Sequence, residues 1–259
     1  MSSVELATHE WLPGTDAPQA STIVLVHGVM GWWKTWWRVG PALAERGWRV
    51  LAVDLRAHGE SPPGAPGPID DLATDLEAAI ERHASAPVHA IVGHSLGAAV
   101  TQLLAWRRPD IARRLVLEDP PGIVRHDDTE FLDRLCREVQ AARDHAEEEI
   151  RREIVENPSW LEEDARQDVE GRALTQIDVI VDSIRIPREF DIADLAAEIA
   201  IPARYVLGAV DRSVMPAEPR RRLVANLRDG SDVVVLDGGH TLHRDRYDDY
   251  LATVLDFLG

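Results

Sequence analysis

The chain has 259 residues, and 28 Lys+Arg against 45 Asp+Glu give it a formal net charge of −17. Hydrophobic residues make up 45% and charged residues 28%, which excludes a disordered or collagen-like chain and suits one large α/β domain or two small ones. So acidic a surface repels phosphate backbones and anionic lipid, which argues against nucleic acid and membrane surfaces as partners. Cys136 is the single cysteine, so intrachain disulfides and thiolate zinc clusters are excluded. The opening Met1-Ser2-Ser3-Val4-Glu5 has neither a basic nor an apolar segment, and 90–106 is too polar to span a bilayer. The expectation is a soluble, cytoplasmic protein.

Taken in chain order, short apolar runs alternate with helical patterns. Thr22–Val26, Arg49–Val53, Val88–Val92 and Leu115–Leu117 are continuous rather than alternating, as in parallel strands buried on both faces. Helical stretches separate them at Trp36–Arg46, Asp70–His83 and Ser95–Arg107. After Pro120-Pro121-Gly122 the alternation stops. From Asp127 to about 188 the sequence is charged and helix-favouring, with breaks expected at Asn157-Pro158 and Gly171, giving three or four helices. Strand–helix order resumes with Arg204–Leu207, Ala217–Leu227, Val233–Leu236 and Arg246–Leu258. The pattern predicts a doubly wound, mostly parallel α/β sheet split by a helical insertion: core in 1–121 and 191–259, insertion in 122–190.

The strongest chemical signal is Ala90-Ile91-Val92-Gly93-His94-Ser95-Leu96-Gly97-Ala98-Ala99. An apolar strand runs into Gly-x-Ser-x-Gly and a helix begins at once. A turn that sharp needs small residues two positions either side of the serine, and it lifts the Ser95 hydroxyl clear of the sheet at a helix N-terminus. There the Leu96 amide can face a developing oxyanion. A plain glycine-rich turn would explain the glycines but not the strand–serine–helix order.

With this segment the chain resembles the α/β-hydrolase superfamily in its lidded form, and the likeness extends over nearly the whole chain. Val26-His27-Gly28-Val29-Met30-Gly31 looks like the family's oxyanion loop, which implies Val29 as the second oxyanion donor and a structural role for His27. Asp54-Leu55-Arg56-Ala57-His58-Gly59-Glu60-Ser61 is similar to a family turn, read as packing. The resemblance implies a base at His240, after the last strand, with His243 as a rival expected at the surface or rim. It implies an orienting acid at Asp211, after the penultimate strand, as most relatives have it, or at Asp119, as a minority do. His240-x-x-His243 alone is too little for a metal site, and no metal or organic cofactor is expected.

Serine at the nucleophile position argues against the epoxide- and halide-processing relatives, which carry aspartate there. Trp32, Trp33, Trp36 and Trp37 crowd the stretch after the oxyanion loop. Trp32, Trp33 and Trp36 are the candidate substrate-binding residues, although packing is the simpler role for each singly. The expectation is a serine hydrolase acting on a small, largely apolar carboxylic ester or lactone. The same triad would also serve C–C or amide hydrolysis or perhydrolysis, and a hydrolase scaffold can serve as a ligand-binding receptor.

Overall fold

The continuous apolar runs form the sheet they predict. A computed structural model describes residues 3–14, 20–122, 128–186 and 191–259. Its elements are β1 Thr8–Trp11, β2 Thr22–Val26, α1 Val39–Glu45, β3 Arg49–Val53, α2 Ile69–His83, β4 Ala90–His94, α3 Leu96–Arg107 and β5 Leu115–Glu118. There follow α4 Thr129–Asp144, α5 Ala146–Glu156, α6 Glu162–Leu174, α7 Ile177–Ile184 and α8 Ile192–Leu195. The last part has β6 Ala203–Leu207, α9 Ala217–Asn226, β7 Asp232–Val235, α10 Leu242–Asp245 and α11 Tyr247–Leu258.

The seven described strands lie in the order β1-β3-β2-β4-β5-β6-β7. β1 is antiparallel to β3, and every other pairing is parallel. Successive residues of a strand point to opposite faces, so Val24 and Leu51 join one core while Ile23, Leu25, Val50 and Ala52 join the other. α2, α3 and α8 cover the first face; α1 and α11 cover the second. α3 is buried from Gly97 to Ala105, which explains an apolar sequence with no polar stripe. The chain reverses its direction across the sheet between β2 and β4. The carboxyl ends of those strands therefore open the crevice in which this class of sheet binds ligands.

β1 was not foreseen, because Thr8-His9-Glu10-Trp11 is a half-exposed edge strand with no apolar run. Among the described residues five α-helices, α4–α8, stand between β5 and β6, and four of them, α4–α7, fall in the expected insertion. Gly171 does not break them, contrary to expectation: it lies inside α6, where a β-carbon would come within 2.9 Å of the Trp32 ring. The glycine permits close docking of α6 on the core. Asp127 and the expected seam at 190 lie outside the described residues. Among the described residues no helix is long and apolar enough to cross a membrane.

Candidate active site

Ser95 sits between β4 and α3 with φ 52° and ψ −117°, a conformation that a non-glycine residue holds only when its surroundings enforce it. Here the enforcement is crowding. A β-carbon on Gly97 would come within 2.3 Å of the Val26 carbonyl oxygen, so only glycine lets α3 begin this close to β2. The Ser95 amide donates to the Glu118 carbonyl of β5 (2.9 Å), which ties the turn across the sheet.

The Ser95 hydroxyl donates to Nε2 of His240 (2.9 Å), and Nδ1 of His240 donates to Oδ2 of Asp119 (2.7 Å). The imidazole is thus held in the tautomer that leaves Nε2 free to accept the serine proton. His240 is delivered by the loop between β7 and α10, and Asp119 stands immediately after β5. Asp119 is fully buried and accepts three further hydrogen bonds. Gly208 N and Ser213 Oγ donate to Oδ1 (3.1 and 2.6 Å), and Val214 N donates to Oδ2 (3.1 Å). These donors fix the carboxylate and stabilise its charge.

The expectation of Asp211 as the acid is corrected by this arrangement. Its side chain is 83% exposed, with Arg212 at 3.9 Å as its ion-pair partner. The loop after β6 instead supplies two amides and a hydroxyl to Asp119, and no carboxylate of its own. Ser213 is a residue the sequence reading missed.

Val29 and Leu96, the expected oxyanion donors, line the cavity together with Ser95 and His240. Gly28 permits this approach: a β-carbon there would lie 2.8 Å from the His94 ring and 3.0 Å from Ser95 Cβ. His27 anchors the same loop, accepting from Leu55 N at Nε2 (3.0 Å) and donating from Nδ1 to the Gly28 carbonyl (2.7 Å). Burial drops its pKa to about 3, so it stays neutral. The Asp54–Ser61 turn packs as expected. Asp54 accepts from Trp33 N (2.6 Å) and Glu60 N (2.8 Å), and Arg56 is buried against Asp75.

The cavity over Ser95 holds about 590 Å³. Ile69, Leu72, Phe131, Leu135, Ile180 and Ile184 supply an apolar wall from α2, α4 and α7. Arg172 and Asp168 of α6 and Arg244 of α10 supply a charged side. Burial alone would lower the Arg172 guanidinium, but Asp168 and Glu153 hold it above its ordinary value. Arg244 donates to Asp168 (2.6 Å) and to the Thr35 hydroxyl (3.2 Å).

A seven-stranded sheet, a strained serine after β4 and a serine–histidine–aspartate relay at the sheet's carboxyl edge all agree with the sequence comparison, in which the alpha/beta hydrolase fold family matches residues 21–178. The chain belongs to this family. It is 37% identical over 98 residues to the mouse sn-1-specific diacylglycerol lipase ABHD11 and 40% identical over 98 residues to Lipase LipV of Mycobacterium tuberculosis. Each match covers 38% of this chain and only 32% and 36% of the respective relatives. Among solved structures, E-2-(acetamidomethylene)succinate hydrolase superposes with a TM-score of 0.80 at 23% identity, over 98% of this chain and 94% of that one.

In this alpha/beta hydrolase the tryptophans do not line the cavity, and their expected substrate-binding role is corrected. Trp36 is fully buried in the core beside His243, and Trp33 stacks on His9 with ring centroids 3.7 Å apart. Trp32 donates from Nε1 to the Gln167 carbonyl (3.0 Å) and Trp37 to Asp164 (2.9 Å), both in α6. Trp160, just before α6, donates to Asp245 (2.7 Å). The indoles fasten the inserted helices to the core. His243 is also not at the rim. It is 2% exposed, and its Nδ1 donates to Glu118 (2.9 Å). His240 and His243 thus turn to different carboxylates rather than converging on a metal.

Proposed function

We propose that this protein is a serine hydrolase that cleaves a small, largely apolar carboxylic ester or lactone through an acyl-enzyme. The observation that carries the reading is the unbroken hydrogen-bond chain from Ser95 through His240 to buried Asp119, opening into a mostly apolar cavity. Ser95 Oγ attacks the carbonyl carbon while His240 Nε2 takes its proton. The amides of Val29 and Leu96 hold the oxyanion, and Asp119 stabilises the imidazolium. The tetrahedral intermediate collapses, the C–O bond breaks, and the alcohol leaves with the proton from His240. Water then repeats the sequence on the acyl-enzyme, releasing the carboxylic acid and restoring Ser95. The relatives named as lipases support ester bonds as the target.

The inserted helices α4–α7 act as a cap that sizes the substrate. A volume of about 590 Å³ suits a molecule of roughly drug-like size or smaller. The test is steady-state hydrolysis of p-nitrophenyl esters of increasing acyl length, wild type beside Ser95→Ala. An optimum at short to medium acyl length, abolished in the variant, supports the reading. Absence of serine-dependent turnover on every ester would overturn it and turn attention to amide or C–C bonds.

A further inference from the structure

His94 and Glu118 stand directly opposite each other in the β4–β5 register, and each immediately precedes a member of the relay, Ser95 or Asp119. Neither side chain takes part in the acyl-transfer steps. Both reach the loop that carries His240. His94 donates from Nε2 to the His240 carbonyl (3.0 Å). Glu118 accepts at Oε1 from the His243 backbone amide (2.9 Å), and both its oxygens lie 2.9 Å from Nδ1 of the same residue. Its own carbonyl accepts from Ser95 N (2.9 Å). Glu118 is fully buried, and a carboxylate is tolerated in so dry a place only with hydrogen bonds of this quality.

We propose that Glu118 is a positioning residue for the base, acting through His243 to seat the 237–243 loop so that His240 lies between Ser95 and Asp119. Asp119–His240 and Glu118–His243 are two carboxylate–histidine pairs side by side. The first does the chemistry and the second holds the loop. The inference rests on His240 being the base. It also has an electrostatic consequence: a second buried carboxylate beside Asp119 adds negative charge near the ring that becomes cationic in the transition state.

The charged and titratable groups around the pair are defined. Glu118 faces His94 from β4, His240 from its loop, His243 from α10 and Tyr250 from α11. His243 faces Arg244 and Asp245 from its own helix, Asp164 from α6, and His240. Burial raises Glu118 and pushes His94 and His243 well below the ordinary histidine value, so both rings are neutral at neutral pH.

The test compares the full-length wild type with Glu118→Gln, His243→Asn and His243→Phe. Two readouts serve it: the NMR titration of the His240 ring, and kcat and KM on the best ester. Glutamine keeps an acceptor for the His243 amide but removes the charge. The His240 titration should therefore move to lower pH, by roughly 0.5–1.5 units, and the acidic limb of kcat/KM should move with it. kcat should fall about tenfold with a smaller change in KM, because the displaced loop carries the base while the apolar wall of α2, α4 and α7 stays in place. Asparagine places a donor near the position of Nδ1 and should retain most of kcat. Phenylalanine fills the space without a donor and should lose it. A Glu118→Gln protein with unshifted titration and kcat within about twofold of wild type overturns the proposal. Should that variant fail to fold, equal kcat in the two His243 variants overturns it instead. The ring titration needs no substrate, so it decides the point even if ester hydrolysis is disproved.

Discussion

Replacing Asp119 by Asn separates the acid of the proposed mechanism from Asp211, the one the sequence favoured. Asp119 Oδ2 receives His240 Nδ1 and Val214 N, while Oδ1 receives Gly208 N and Ser213 Oγ. Every partner is a donor, so an amide cannot satisfy the site in either orientation. With its oxygen toward Gly208 and Ser213, the amide nitrogen opposes Val214 N–H and donates to His240 Nδ1. That forces the proton onto Nε2, the atom that must accept from Ser95. The wrong tautomer costs about 10⁴ in kcat in serine proteases of the same design, or about 5.5 kcal/mol of transition-state stabilisation. The flipped amide keeps the tautomer but sets its nitrogen against Gly208 N–H and loses the charge. One buried donor stays unpaired in either case, a stability cost of about 1–3 kcal/mol. The expected outcome is a kcat reduced by about 10³- to 10⁴-fold on p-nitrophenyl esters with a somewhat lower melting temperature. Asp211→Asn should change kcat less than about twofold, since exposed ion pairs contribute little. Near-normal turnover in Asp119→Asn, with collapse in Asp211→Asn, would refute the argument.

Ser213→Ala removes one of the donors to Oδ1 but leaves Gly208 N, so kcat should fall about three- to tenfold with about 1 kcal/mol of stability; an unchanged kcat would show that the hydroxyl does not orient the acid. Burial depresses His27 to about 3 and His58 to about 4, from 6.5, and lowers His94 and His243 well below it. Groups held neutral in this way contribute full stability above pH 6.5 and lose it as pH falls, each by up to about 1.4 kcal/mol per pH unit. Asp54, pushed up to about 6 by burial, runs the other way and offsets roughly one of them as the pH falls below 6. Urea unfolding should therefore show a loss of at least about 3 kcal/mol between pH 7 and pH 5, and equal midpoints would contradict it. Arg244→Met breaks the contacts to Asp168 and Thr35 and the packing over the Trp160 ring, and should cost about 2–4 kcal/mol by thermal or urea melts; an unaltered melt would mean that the inserted helices do not depend on this tether.

The parallel sheet was legible because strands buried on both faces must be apolar at every position, and no other element of that length reads so. Ser95 was legible for a related reason, since its turn admits few residue types. The choice between Asp119 and Asp211 was not. Both follow parallel strands, and what separates them is which carboxylate is ringed by donors from a loop some 90 positions away. A clue was present in Glu118, a charge ending an otherwise wholly apolar strand, which demands a partner. His243 supplies it, at a separation of 125 residues. The tryptophans were misread because aromatic bulk serves a ligand wall and a docking surface equally well. Their indole nitrogens decide the matter, and their acceptors in α6 lie more than 120 residues downstream.

β5 and β6 are adjacent in the sheet, pairing from Leu115↔Ala203 to Glu118↔Val206, although α4–α8 separate them along the chain. Topologically the whole insertion is one overgrown loop between neighbouring strands, and the entropy of closing such a loop rises only slowly with its length. Ser95, Asp119 and His240 all lie outside it. Evolution or an engineer could therefore exchange the insertion for another without touching the relay. One condition attaches to the graft. It must bring its own equivalent of α6, because Trp32, Trp37 and Arg244 remain behind in the core with donors that Gln167, Asp164 and Asp168 now satisfy. A transplant lacking those acceptors would leave three polar groups stranded where the old helix had been.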